Sequence, residues 1–167
     1  MTVHIQDSPA LAYRRAGEAH DLAALAATLS EDVVFHSPLS ATAEFRGKEQ
    51  AVQLFSVVFD VLSDLRYHSD VGDDRTRALT ATARLGDREI HEAAMVEVGE
   101  DGLLREITLW IRPLPALTAL MAALGPGLAR AAGRPAVSLL VAAAVKPLAA
   151  ITALGDRTLV PLVTRAR

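Results

Sequence analysis

The sequence predicts an α+β fold in which a cone-shaped, strongly curved antiparallel sheet and N-terminal helices enclose an apolar pocket. Three observations support this prediction. Helical patterns with one short strand reach residue 62, four strand patterns separated by tight turns follow as far as residue 112, and an alanine- and leucine-rich helical extension comes after them. We therefore expect one domain over residues 1–115, with a helical extension over residues 116–167 that packs on the same domain or on a partner subunit.

The sequence up to residue 62 predicts three helices and one strand. Ser8 can cap a helix over residues 9–19, and Asp21 can cap a second helix over residues 22–29. The β-branched and aromatic run over residues 33–37 is stopped by Pro38 and predicts a strand, followed by a polar loop. Over residues 48–62 the apolar side chains recur at three- and four-residue spacings, which predicts a third helix.

The four strands of the predicted meander cover residues 65–71, 76–85, 88–98 and 103–112. Gly86-Asp87 fits a two-residue hairpin loop. If Leu85 faces Arg88 across that loop, Ala81 faces Glu92. A second turn, after Val98, places Ile107 opposite Ala94. Because strand side chains alternate, one face is then apolar apart from Glu92; its apolar members are Leu79, Ala81, Ala83, Ile90, Ala94, Val96, Ile107, Leu109 and Ile111.

Composition and charge exclude several classes of function. The net charge of −3 argues against nucleic-acid binding, which needs a concentrated basic surface. The sequence has no cysteine, and its five histidines lack the spacing of metal ligands, so we expect no metal site. No glycine-rich phosphate loop is present, and we expect no cofactor. Residues 1–8 lack the features of a secretory signal, so we expect a cytoplasmic protein.

The apolar stretch over residues 136–154 is long enough to raise the question of a membrane span. Lys146 and Pro147 lie near its middle, where a charge is costly in a bilayer. We therefore expect a buried or interfacial helix and no membrane span.

The order of these elements resembles the SnoaL-like proteins of the nuclear transport factor 2-like superfamily. Five landmarks carry the resemblance, over roughly residues 9–115: Asp21-Leu22, Asp32-Val33-Val34-Phe35, Phe45-Arg46-Gly47-Lys48, Glu100-Asp101-Gly102-Leu103 and Ile111-Arg112-Pro113-Leu114. The resemblance implies a cystatin-like α+β barrel. It also implies a range of activities, since the family includes polyketide cyclases, ketosteroid isomerases, limonene epoxide hydrolase and scytalone dehydratase.

The resemblance also implies residue roles. Tyr13 falls where ketosteroid isomerases have an oxyanion-binding tyrosine, whereas Ser37 and Ala94 fall where they have a catalytic aspartate and a protonated aspartic acid. Leu109 occupies the place of an aspartate of limonene epoxide hydrolase. His36 and His91 loosely imitate the paired histidines of scytalone dehydratase. Polyketide cyclases use one acidic general base, a part that Glu92 could play.

The candidate catalytic residues are therefore Glu92 as general acid or base, Tyr13 as oxyanion donor, and Ser37 or His36 on the strand bordering the pocket. The ligand-binding candidates are Phe35, Phe55, Phe59, Leu79, Ala81, Ala94, Ile107, Leu109 and Ile111. Three functions stay open: a cofactor-independent cyclase, isomerase or epoxide hydrolase, a non-catalytic binder of a small hydrophobic molecule, and a dimerisation domain. We expect a homodimer.

Overall fold

The computed structural model describes residues 8–40 and 44–164 of the chain. The chain divides into two compact units, which we call unit 1 (Met1–Ile111) and unit 2 (Arg112–Arg167). Most of the N-terminal segment considered for a secretory signal lies outside the described residues. Unit 1 holds the sheet and three helices, and unit 2 holds three helices.

Unit 1 begins with two short helices, α1 (Leu11–Ala19) and α2 (Leu22–Ala27), and later contains α3 (Lys48–Val61). Asp21 caps α2 as predicted, since its carboxylate accepts a hydrogen bond from the Ala24 amide at 2.9 Å. Ser8 acts one turn before α1, where its hydroxyl accepts from the Ala10 amide at 3.1 Å. The three helices lie within two residues of their predicted positions.

Six strands form one sheet in the order β2-β1-β6-β5-β4-β3. Their bounds are β1 (Leu29–His36), β2 (Glu44–Arg46), β3 (Ser63–Gly72), β4 (Thr76–Leu85), β5 (Arg88–Val98) and β6 (Leu104–Arg112). The sheet is curved and unclosed, and it is mixed: β1 runs parallel to β6, with Phe35 beside Ile107. The predicted curved sheet with helices is confirmed, and its one parallel junction arises because helix α3 and the meander of β3 to β6 return the chain in the same direction as β1.

The predicted pairing of β4 with β5 is confirmed over its whole length. Leu85 faces Arg88, Ala81 faces Glu92 and Leu79 faces Ala94. Gly86 makes this possible because its φ of 61° lies in the left-handed region that a tight hairpin turn requires.

Two differences from the predicted elements lie at the other edge of the sheet. Strand β1 begins at Leu29, where a helix end had been predicted, because Leu29 and Val33 are both buried and Leu29 pairs with Leu104 of β6. Strand β2 was predicted as part of a polar loop. It forms because Phe45 pairs with Phe35 and their rings meet edge to face, at 6.2 Å between centroids.

Unit 2 contains α4 (Leu114–Ala131), α5 (Pro135–Thr158) and α6 (Val160–Thr164). Helix α4 is continuous through the Gly125-Pro126-Gly127 segment, with Pro126 inside it. A proline removes one helical hydrogen bond, and the packing of α4 along α5 on both sides of Pro126 offsets that loss.

Two helical stretches of unit 2 have the length and composition of a membrane span: Leu114–Ala131, which is α4, and Pro135–Thr164, which covers α5 and α6. Within an 18-residue window of each stretch, only 22% of the first and 6% of the second are buried. Of the two alternatives expected for residues 136–154, a buried or an interfacial helix, burial within the described chain is therefore not observed.

Candidate functional site

Glu92 is the acidic residue on the apolar face of the sheet. Its same-face neighbours on β5, Ile90 and Ala94, are buried, whereas Glu92 itself is partly accessible. Burial among apolar groups raises the pKa of its carboxyl from 4.5 to about 7. No hydrogen bond or ion pair reaches it from residues 8–40 and 44–164. Glu92 is thus a carboxyl that changes its charge near neutral pH and has no protein partner in the part of the chain described.

Two tyrosines lie near this carboxyl. Burial, followed by the charge of Glu92, raises the pKa of Tyr13 on α1, and a hydrogen bond with Tyr67 lowers it by a smaller amount. Burial, followed by Tyr13 and Glu92, also raises the pKa of Tyr67 on β3. Both phenols therefore stay protonated at neutral pH and remain available as hydrogen-bond donors.

The sheet register brings Tyr67 and Glu92 to the same face. Tyr67 pairs with Ala81 on β4, and Ala81 pairs with Glu92 on β5. Since directly paired residues point to the same side, the three side chains form a row across the strands. Helix α1 supplies Tyr13 from above this row, with its ring 6.3 Å from the ring of Tyr67.

Aromatic rings extend from the tyrosines along α3 and β1. Phe55 meets Tyr13 edge to face at 6.1 Å and Phe35 at 5.7 Å. Phe59 lies 6.2 Å from Phe55 and stacks on the imidazole of His20, 4.8 Å away and parallel to within 1°. The three predicted phenylalanines therefore form one continuous aromatic wall with Tyr13.

The remaining predicted ligand-binding residues differ in how far they are exposed to solvent. Leu79, Ala81, Ala94 and Ile107 are buried. Leu109 and Ile111, towards the end of β6, are partly accessible. Access to the apolar face is therefore greatest at Glu92, Tyr67 and the last residues of β6.

The two other catalytic candidates lie at the end of β1: His36 is its last residue and Ser37 follows it. His36 contacts Glu44 at 3.4 Å and Glu106 at 3.0 Å. The Ser37 hydroxyl accepts a hydrogen bond from the Leu39 amide at 3.2 Å, which ties it to the turn after the strand. The structure brings neither into the group formed by Glu92, Tyr13 and Tyr67.

Sequence reasoning missed two features of the unit. One is Tyr67, whose pairing with Ala81 depends on irregular register between β3 and β4 that no turn residue reveals. The other is a buried ionic cluster in which Asp70 binds Arg77 at 2.7 Å and Arg14 at 3.1 Å. Burial raises the pKa of Asp70, but hydrogen bonds from Ser8, Arg77 and Arg14 outweigh this and lower it overall.

Among residues 8–40 and 44–164, no three histidine, aspartate or glutamate side chains lie together as a metal site would require. The chemical groups of the site are a carboxyl with a pKa near 7, two phenol donors and an apolar surround. Such groups can bind an apolar molecule with one polar oxygen and can exchange a proton with it.

A curved sheet covered by helices is the architecture of nuclear transport factor 2-like proteins, and solved structures share it. A steroid delta-isomerase from Pseudomonas aeruginosa is 26% identical, with a TM-score of 0.67, covering 77% of this chain and 97% of that one. A protein with a cystatin-like fold from Silicibacter pomeroyi is 22% identical, with a TM-score of 0.66, covering 70% and 82%.

Within that class, the chain belongs to the SnoaL-like domain family, whose model matches residues 10–107. A structure from Shewanella denitrificans, assigned as a SnoaL-like polyketide cyclase, is 13% identical with a TM-score of 0.55, covering 66% of this chain and 92% of that one. No curated protein matches this chain. The predicted family is confirmed, and its relatives include both isomerases and polyketide cyclases.

Proposed function

We propose that unit 1 binds a small hydrophobic, oxygenated molecule against the apolar face of its sheet and transfers a proton on it, as a cofactor-independent isomerase, cyclase or epoxide hydrolase working in the cytoplasm. One observation carries the proposal: Glu92 is a partly accessible carboxyl with a pKa of about 7, surrounded by apolar side chains and unpartnered among the described residues.

The pKa of Glu92 suits a general base. A carboxyl with the ordinary value of 4.5 is ionised at neutral pH but is a weak base, whereas one near 7 is a stronger base and is still about half ionised. The same group can return the proton later in the reaction. An isomerisation needs both steps, since a proton leaves one carbon and is added to another.

Tyr13 supplies the complementary role. When Glu92 removes a proton from the carbon next to a carbonyl, negative charge develops on the carbonyl oxygen, and a phenol O–H can donate a hydrogen bond to it. Tyr13 is protonated at neutral pH and interacts with Glu92. Tyr67 hydrogen-bonds to Tyr13 and orients its hydroxyl, so it is a positioning residue.

The comparisons favour proton-transfer chemistry. One structural relative is named a steroid delta-isomerase and another is assigned as a SnoaL-like polyketide cyclase. This chain has Ser37 and Ala94 where resemblance to the ketosteroid isomerases implies carboxyl groups. Glu92 would therefore act alone as the acid–base group, and the substrate need not be a steroid.

Deuterium exchange into a simple apolar ketone tests proton abstraction without knowledge of the natural substrate. We expect the protein to catalyse exchange at the carbon next to the carbonyl of 2-decalone in D2O, measured by mass spectrometry. The rate should rise with pH through about 7, because the ionised form of Glu92 is the base.

The matched variants are Glu92→Gln and Glu97→Gln, on the same strand with Glu97 exposed. Glu92→Gln should lower the exchange rate by about 10²–10⁴-fold, and Glu97→Gln should leave it unchanged. Tyr13→Phe should lower it by a smaller factor. Exchange that is equally fast in wild type and Glu92→Gln would refute the assignment of the base.

A second candidate function is binding without catalysis in a homodimer. It is favoured by Tyr13 being only 5% exposed and by three exposed apolar side chains of the sheet, Val71 (60%), Met95 (41%) and Trp110 (53%). Light scattering after size-exclusion chromatography would show a dimer, and Trp110→Glu should dissociate it. A monomeric wild type would exclude this second function in its dimeric form.

A further inference from the structure

The long helices of unit 2 present an apolar surface that nothing else in the described chain covers. On α5, Leu139 is 74% exposed, Leu140 69% and Ile151 67%. Further exposed apolar side chains of this helix and of α6 are Val137, Leu148, Leu154, Leu159, Val160, Leu162 and Val163. A helix that is apolar all round is stable only when something buries it, either a protein core or a bilayer.

Helices α4 and α5 pack against each other. Thr118 of α4 and Thr152 of α5 share a hydrogen bond of 2.6 Å, and Gly125 lies so close to Val141 that a Cβ atom would come within 2.6 Å of it. These two contacts show that α4 and α5 run antiparallel as a hairpin. Small residues and hydroxyl–hydroxyl bonds between helices are typical of packing in lipid. The exposed apolar residues therefore lie outside the hairpin contact.

The charges of the chain are divided unequally. Residues 112–167 carry seven lysines and arginines against one acidic residue, whereas residues 1–111 carry ten basic and nineteen acidic residues. Arg130 and Arg134 flank the turn of the hairpin, and Arg157 lies near the last residues of α5. A long apolar surface with basic residues at its ends is complementary to a bilayer with anionic lipid headgroups.

The position of Lys146 favours a hairpin that lies flat on a bilayer over one that spans it. Helix α5 has 24 residues, about 36 Å, which exceeds the thickness of a bilayer's hydrocarbon core of about 30 Å. Lys146 lies halfway along it and is exposed, so a spanning helix would hold a charge at the membrane centre. Around α5, Leu140 and Ile151 lie about 120° and 140° away from Lys146, so in a hairpin lying flat in the interface the lysine stem can reach the headgroups while these two side chains face the acyl chains.

We propose that α4 and α5 form a hairpin that binds in the plane of a bilayer containing anionic lipid, with its apolar side chains among the acyl chains and Lys146 and the terminal arginines at the phosphates. This attachment is independent of the chemistry proposed for unit 1. It gives unit 1 a location at the membrane surface, where hydrophobic molecules concentrate.

Vesicle flotation of the full chain tests the proposal. Wild type should float with phosphatidylcholine vesicles that contain phosphatidylglycerol and bind pure phosphatidylcholine several-fold more weakly. The double variant Leu140→Asp/Ile151→Asp should lower the partition coefficient by at least about a hundredfold, since both side chains lie on the side of α5 away from Lys146. Val71→Asp, the same type of change at an exposed position of unit 1, is the matched control and should bind as wild type does.

Lys146→Leu separates the flat orientation from a spanning one. In the flat hairpin the variant should bind anionic vesicles about fivefold more weakly, because one contact with the headgroups is lost. A spanning helix would instead insert more strongly without the charge, and that result would overturn the orientation.

Two other results would overturn the attachment. One is a double variant that floats as wild type does. The other is a wild type that binds neither vesicle and forms a dimer that the double variant dissociates, since a second copy would then cover the surface. Near-ultraviolet circular dichroism of Trp110 and the far-ultraviolet helix signal, both unchanged in the double variant, show that lost flotation is not unfolding.

Discussion

In residues 8–111 the large apolar side chains lie mostly inside, among them Ile90 and Ile107 at 0% exposure, whereas in residues 112–164 many of the same types lie outside, among them Leu139 and Leu140 at 74% and 69%. The sheet of unit 1 alternates apolar and polar side chains, so one face can be buried while the other meets water. The helices of unit 2 have apolar residues on every side, and a two-helix hairpin can bury only one side of each. Unit 1 thus buries most of its large apolar side chains, whereas many of those of unit 2 are exposed in the described chain.

The largest expected effect concerns the buried ionic cluster of unit 1. Asp70→Asn should lower the free energy of unfolding by about 3–5 kcal/mol, because the guanidinium groups of Arg77 and Arg14 would lose their buried counter-charge. The exposed Asp74→Asn is the matched control and should change it little. Urea unfolding followed by Trp110 fluorescence measures both.

The pH dependence sharpens this prediction. The pKa of Asp70 is lower in the folded chain than its ordinary 3.8, so its contribution to stability is present above that value and is lost as the pH falls below it. The difference between wild type and Asp70→Asn should therefore shrink in strong acid. A difference that stays constant down to the acid transition would mean that the charge of Asp70 is not what stabilises the cluster.

A pair of truncations tests the contrast between the two units directly. Ile107→Ala should destabilise unit 1 by about 2–5 kcal/mol, since it removes a fully buried side chain from the core. Leu140→Ala, at 69% exposure, should change stability in vesicle-free buffer by less than about 0.5 kcal/mol. Comparable losses for the two variants would show that the outer surface of α5 is already buried in solution.

Glu92→Gln should increase the stability of unit 1 at alkaline pH. The pKa of Glu92 is about 7 in the folded chain against 4.5 ordinarily, so the folded chain binds the proton more tightly between these values. The free energy of unfolding of wild type should consequently fall as the pH rises from about 4.5 to about 8, by at most about 3 kcal/mol. The variant should lack this fall, as thermal unfolding across the pH range would show.

The smallest expected effect concerns the contact between α4 and α5. Thr118→Val should remove the hydrogen bond to Thr152 while keeping the shape of the side chain, and should cost about 1 kcal/mol. Thr158→Val is the control, because the Thr158 hydroxyl bonds only to the Leu154 carbonyl of its own helix. Helix content during thermal unfolding measures both variants, and equal effects would argue against a role for the bond between helices.

Local signals predicted most of unit 1. The alternation of apolar residues and the Gly86-Asp87 turn together predicted the pairing of β4 with β5 residue by residue, which placed Glu92 on the apolar face. They could not predict Tyr67 beside it, since the irregular register between β3 and β4 has no sequence signal. The parallel contact of β1 with β6 was missed for a related reason. In the sequence, 71 residues lie between Phe35 and its partner Ile107, and no single turn joins the two strands.

By itself, the sequence determined the family, the order of elements, the register of the central hairpin and the presence of a carboxyl on the apolar face. These depend on local turn chemistry and on alternation along single strands. Only the tertiary structure decided which groups meet: Tyr13 and Tyr67 with Glu92, Asp70 with two arginines, and His36 with carboxylates away from the apolar face. The sequence also left open whether α5 is buried or interfacial, because its apolar composition suits both, and burial depends on what the rest of the chain can cover.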